Sequence, residues 1–268
     1  MKLMAYRAQI NSSRNKSRTA AIFLFVMVIE HWALWQLPIY EIDSTSNWPI
    51  YLARSVSAAL SILMIWFFAP QALQRIRIKF SGVGTLKVVA VIIGYFLAGL
   101  LVTRNYELPF WVVIDGGIFA LFIGLDEEIF DRGLIFGLFE KWGTEFALLT
   151  SSVIFGLQHI TNFFSGDDSF NYVLGHMINA AGFGYLMGAF MLSTGTIWVP
   201  VFLHGFADYR WVLMEPSEAL AISGGQTNWI AVALSTCIMV VSARIMLSER
   251  NWLKLSESKL LKRLGLVE

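Results

Sequence analysis

Eight apolar stretches, near residues 19–40, 48–69, 86–103, 110–139, 145–164, 171–193, 196–214 and 229–247, follow one another along the chain with only short loops between them. Each approaches the roughly 20 residues that a helix needs to cross a ~30 Å hydrocarbon layer. Backbone groups inside lipid find no water to bond, so runs of this kind close their hydrogen bonds internally, as helices. Composition agrees: hydrophobic residues make up 56% of 268 positions and charged ones 15%, with 21 Phe, 10 Trp and a mean hydropathy of +0.61. A soluble domain carries about a quarter charged residues. The expected fold class is therefore all-α, a polytopic transmembrane helical bundle of about eight spans, with residues 1–268 forming a single membrane domain.

Charge placement orients the bundle. Of the 20 Lys and Arg, all but Arg54, Arg104, Arg132 and Arg210 fall on segments that share one side when the chain threads eight times from a cytoplasmic N-terminus. The opposite side collects Glu41, Asp43, Glu107, Asp167, Asp168, Glu215 and Glu218. The positive-inside rule thus favours both termini in the cytoplasm. Arg14, Lys16 and Arg18 precede the first run, but its apolar part is too long for a signal peptide and no small-residue cleavage site follows, so it is expected to be retained. Residues 248–268 read as a basic amphipathic tail for the inner leaflet. Cys237 is the single cysteine, which rules out a disulfide within the chain and a cysteine-rich metal site.

The fourth run breaks the apolar pattern. Its stretch 124–133, GLDEEIFDRG, sets Asp126, Glu127, Glu128, Asp131 and Arg132 between hydrophobic flanks. At ~100° per residue, Glu127, Glu128, Asp131 and Arg132 share an arc of roughly 140° that also holds Gly124. A charge at the bilayer centre costs about 2.5–3.5 kcal/mol on insertion scales, so this arc must face protein or enclosed water. Glu128 and Arg132 stand at i, i+4 in the favourable order, which leaves Glu127 the less compensated carboxylate. An ion-pair network that only fixes packing accounts for one Glu and one Arg. Two adjacent Glu with Asp131 exceed what one Arg offsets.

Two further runs bring histidine to comparable depth. The fifth contains FGLQH, residues 155–159, and the seventh HGFAD, residues 204–208, whose His204 and Asp208 share a helix face. Counted from their cytoplasmic ends at ~1.5 Å per residue, Glu128, His159, His204 and Asp208 all lie about 12–20 Å deep. Polar groups delivered by three helices to one depth point to a catalytic or ion-handling centre.

The ordered set E-E-x-x-x-R (Glu127, Glu128, Arg132), F-x-x-x-H (Phe155, His159) and H-x-x-x-D (His204, Asp208) resembles the CPBP family of intramembrane proteases, which includes the CAAX prenyl endopeptidases and bacteriocin-processing relatives. The motifs cover about residues 110–215, and the eight-span layout extends the likeness over most of the chain. The resemblance implies hydrolysis of a peptide bond inside the membrane. By that analogy Glu127 is the base that activates water, helped by His159, while His204 and residue 208 hold or polarise the scissile carbonyl. Arg132 pairs with Glu128, and Phe155 supports the site. The chain departs from the pattern at one position, since many members carry Asn where it has Asp208. An ionised Asp has no proton to donate to an oxyanion, so Asp208 is either protonated or orients His204 or a metal.

Burial beside a second carboxylate suits a Glu for taking a proton from water. Two His with carboxylates also suit Zn²⁺ with an open position for water, and the candidate ligands are then Glu127, His159, His204 and Asp208. Metal-independent chemistry or weakly held zinc is the favoured expectation. The expected partners are membrane lipid and a peptide or protein substrate, lipidated or membrane-anchored forms included, with no nucleic acid. The expected location is a bacterial or archaeal cytoplasmic membrane, crossed several times. Two other functions stay open at this point: a proton- or ion-coupled transporter, whose relays use the same residue types, and a catalytically silent scaffold of the same fold. Against the first stand the lack of a repeat and of a proline in the centre of a charged helix; against the second stands the full set of motif residues. His176 and Asn179 are expected to form an interhelical hydrogen-bonding pair, and small residues such as Gly156 and Gly184 to let helices approach closely. Glu30 and His31 are unusual at their depth in the first run.

Overall fold

The structure is a computed structural model and describes residues 48–76, 108–164, 169–212 and 227–256. The runs near 19–40 and 86–103, the pair Glu30 and His31, and the tail beyond 256 lie outside the described residues. Every regular element among those described is helical, so the fold is all-α. Six long helices organise it: α1 (Trp48–Phe68), α2 (Phe110–Glu128), α3 (Thr144–Gln158), α4 (Phe170–Thr194), α5 (Trp198–Val212) and α6 (Trp229–Ser256). α1 stops where Pro70, which has no N–H to donate, opens the 3₁₀ turn Pro70–Ala72. α3 tightens into the 3₁₀ segment His159–Phe164. α4 is bounded by Ser169, whose hydroxyl accepts the Tyr172 N–H at 3.2 Å, and by Gly195 at φ 73°, a left-handed conformation that costs glycine nothing.

The polypeptide does not leave the helix at Glu128. It continues through a π-helical stretch, Ile129–Ile135, and a final α-helical turn, Phe136–Phe139, so that the Phe136 N–H reaches back five residues to the Asp131 carbonyl. This departs from the regular 100° spacing assumed for the charged arc. A π turn holds an extra residue and re-aims the side chains beyond it. Here Ile129–Ile135 is buried throughout, and Asp131 and Arg132 each meet a different neighbour, which the wider turn accommodates.

Contacts fix the relative directions of the helices. α1 and α2 run the same way, since the Tyr51 hydroxyl donates to Asp115 near their starts and Ile65 packs on Gly133 near their ends. α5 runs opposite to α2, with the Tyr209 hydroxyl donating to the Val113 carbonyl at 3.0 Å. α3 and α4 are antiparallel, with Gly188 against Leu148 and Gly156 against Ala181. α6 follows α4 in the same direction through the Asn179 amide, which donates to the Ser235 hydroxyl, and through Gly182 beside Thr236. The interhelical hydrogen bonding expected of Asn179 is this bond, while His176 meets the His159 ring across the interface with α3. α6 also runs on unbroken to Ser256, past the boundary expected near 247.

Apolar packing closes the bundle around the charged helix. Ile65, Phe130, Leu134, Ile135 and Ile197 form one buried cluster, and Phe136, Leu148, Tyr185 and Met191 another. Among the described residues two helical segments are long and apolar enough to cross a membrane, Pro49–Phe68 at mean hydropathy 1.7 and Trp229–Ser248 at 2.1. α6 turns an exposed stripe of Ile230, Leu234, Ile238, Val241 and Ile245 outward, at the four- and three-residue spacing of one helix face. A face of that kind suits contact with lipid, while the opposite side of α6 packs on α4 and reaches α3 through Arg244 and Glu145.

Candidate active site

The end of α2 and the π stretch supply the carboxylates. Asp126, Glu127, Glu128, Asp131 and Arg132 are all buried, and Glu127, at 3%, is the most exposed of them. Glu128 Oε1 lies 3.1 Å from Arg132 Nη1, so the expected i, i+4 pair forms. The same oxygen lies 2.7 Å from Nδ1 of His204 on α5. The other ring nitrogen of His204, Nε2, is 3.5 Å from Glu127 Oε2 and 3.6 Å from Asp208 Oδ2. Three carboxylates therefore converge on one imidazole. What brings α5 near enough is the residue after it: a Cβ on Gly124 would stand 2.6 Å from the Val201 carbonyl oxygen and 2.8 Å from the Gly205 nitrogen. Backbone touches backbone there, as small residues permit in membrane bundles.

α3 closes the site from another side. The Arg132 guanidinium lies 4.5 Å over the ring of Phe155 and against Gly184 of α4, where a Cβ would sit 2.8 Å from Nη2. Phe155 in turn stands edge-on to His204 at 5.4 Å and to His159 at 4.9 Å between ring centroids. His159 Nδ1 is 2.9 Å from the Phe155 carbonyl, a bond that, with the ring N–H donating, places the lone pair on Nε2. Its other face meets His176 at 4.6 Å. Gln158 donates to Asp131 at 3.3 Å, so this carboxylate points to α3 rather than to His204. Glu127, Glu128 and Asp208 thus each approach His204, Arg132 joins through Glu128, and His159 lies on the other side of Phe155.

Two participants escaped the sequence reading. Arg54, assigned above to the outer side of the membrane, is buried at 6% exposure, with Nη1 3.0 Å from Asp126 Oδ2 and 3.5 Å from Glu127 Oε1. Asp126, the one charge off the expected arc, is its partner. A signal was available, since an Arg within an apolar run needs a counter-charge as much as the carboxylates do. Among the described residues the ion pairs given for Asp126, Glu127, Glu128, Asp131 and Asp208 are with Arg54, Arg132 and His204, five carboxylates to three cationic side chains. Glu128 Oε2, Asp131 Oδ2, Asp208 Oδ2 and the Nε and Nη2 atoms of Arg132 are buried without a hydrogen-bond partner among the described residues. Burying such atoms unbonded costs about 1–3 kcal/mol each, which packing alone gives no reason to pay. As to a metal, no group of three or more His, Cys, Asp or Glu among the described residues is arranged to hold one, and His204 Nδ1 is already engaged by Glu128.

Residues 109–210 match the family model of type II CAAX prenyl endopeptidase, Rce1-like. Over 90 residues the chain is 36% identical to the candidate membrane peptidase YdiL of Bacillus subtilis (strain 168), an overlap of 33% of this chain and 32% of that protein. The chain thus matches about a third of the length of this curated relative. Both matches support the resemblance carried by the three motifs, and over residues 109–210 the chain is similar to the Rce1-like type II CAAX prenyl endopeptidases.

Proposed function

We propose that the protein is an intramembrane endopeptidase that hydrolyses a peptide bond with water activated by Glu127. The observation that carries this reading is the seating of His204 among Glu127, Glu128 and Asp208, with residues of two helices held in a buried polar chamber. Glu127 takes a proton from water, and the water oxygen bonds to the scissile carbonyl carbon while the C=O electron pair moves onto oxygen. His204, donating from Nε2, stabilises that oxyanion. The intermediate collapses with rupture of the C–N bond, and the proton held by Glu127 passes to the leaving amine. His159 Nε2 assists by accepting a hydrogen bond from the attacking water. Glu128 and Arg132 keep the imidazole in place, and Asp208 acts on His204 rather than on the oxyanion. The chemistry is of the glutamate type, and the substrate class is a lipidated or membrane-anchored peptide, of which a prenylated CAAX peptide is the first to test.

The test is cleavage by the full chain reconstituted in lipid vesicles, read on a farnesylated CAAX peptide and on the membrane and secreted peptide inventory of producing cells. Glu127→Gln is expected to lower cleavage by about 10²–10⁴-fold with melting temperature unchanged. A Glu127→Gln protein that cleaves at the wild-type rate overturns the base assignment. A divalent-metal chelator is expected to leave the rate unaltered; loss of activity restored by Zn²⁺ overturns the glutamate-type scheme.

A further inference from the structure

The geometry points to Arg54 as a positioning residue that, anchored by Asp126, holds the Glu127 carboxylate in its reactive orientation. Arg54 lies on α1, outside the matched residues 109–210, so nothing in the family match assigns it a part. Its Nη1 makes the shorter contact with Asp126, 3.0 Å, and the longer one with Glu127, 3.5 Å. The first fixes the guanidinium; the second leaves Glu127 able to move a proton. Glu127 is then gripped at both oxygens from opposite partners, Oε1 by Arg54 of α1 and Oε2 by His204 of α5. Cationic partners 3.5 Å from each oxygen restrain its last torsion electrostatically, and a catalytic group displaced by about 1 Å loses on the order of 10²-fold in rate. α1 is therefore part of the enzyme's working parts, even though its remaining surface is apolar and exposed at Leu52, Val56, Leu63, Trp66 and Phe67. The neighbouring Tyr51, whose hydroxyl donates to Asp115, sets the register in which Arg54 reaches its two carboxylates.

This inference rests on Glu127 as the base, and the experiment separates the two. Arg54→Met, Arg54→Lys and the charge-balanced pair Arg54→Met with Asp126→Asn are prepared as full chains in lipid vesicles. The pair keeps the test open should the single Met variant fail to fold, because removing both members of a buried ion pair costs much less than removing one. Two readouts are taken: kcat and KM on the farnesylated CAAX peptide, and the infrared carboxylate stretch of Glu127, assigned from the difference between wild type and Glu127→Gln. Arg54→Met or the balanced pair is expected to lower kcat by about 10–100-fold with KM within about twofold, and to move the Glu127 band. Arg54→Lys, which keeps a charge at a single-nitrogen contact, recovers about tenfold of the loss and brings the band back toward its wild-type position. An unmoved band together with unchanged kcat overturns the inference. If the band moves but Glu127→Gln still cleaves, the base assignment fails while Arg54 keeps its positioning role.

Discussion

His204 is gripped unequally, at 2.7 Å by Glu128 and at 3.6 Å by Asp208. Only the first is within ordinary hydrogen-bond range, so Glu128 sets the ring and Asp208 trims it. Glu128→Gln is therefore expected to lower kcat by about 100-fold, while Asp208→Asn, which keeps size and shape, changes it by less than about tenfold. Steady-state cleavage by the two purified variants decides this, and the reverse order would make Asp208 the main support of the imidazole. The motif residues could be picked out from sequence because each is an ionisable or histidine side chain in an apolar run, where a large desolvation cost demands a reason. Which of them touch could not be picked out in the same way. Glu127 looked uncompensated only because Arg54 stands on a separate helix, 73 residues away in the chain, and a pattern within one helix carries no information about that.

At the scale of helices, the site depends on the crossing of α2 and α5. Gly124 was visible as part of the charged arc, but its match with Gly205 comes from packing that spacing within each helix does not encode. A methyl at Gly124 meets backbone atoms, the Val201 carbonyl oxygen at 2.6 Å and the Gly205 nitrogen at 2.8 Å, and no side-chain rotation relieves it. α5 has to move off, taking His204 with it. Gly188→Ala offers the contrast, because its new methyl meets the end of the Leu148 side chain, which can turn away. Gly124→Ala is expected to cost about 1–3 kcal/mol of stability and at least tenfold in kcat, and Gly188→Ala less of both, as read from thermal melting and cleavage. The π turn at Ile129–Ile135 was equally hidden. Apolar periodicity over 110–139 reads as one helix whether or not a residue is inserted, since the segment is buried on all sides and has no solvent face to mark the change of phase.

For the whole molecule, the apolar runs gave the helices, and the contacts add their directions: α1, α2, α4 and α6 run one way, α3 and α5 the other. Alternate threading of a membrane by the eight expected runs would produce those directions among the described helices. The layout makes a prediction about sides. Lys141, in the turn between α2 and α3, and Ser193, at the end of α4, are exposed and are expected on the cytoplasmic face of an eight-span layout, whereas Pro109 and Asn171, exposed at the starts of α2 and α4, are expected on the other. In a background with Cys237→Ser, single cysteines at 141 and 193 are expected to react with a membrane-impermeant thiol reagent only in inside-out vesicles. Cysteines at 109 and 171 should react only in right-side-out ones. If all four label from one side, the chain does not cross the membrane between them, and the chamber around Glu127 and His204 would open to water instead of lying within the lipid layer.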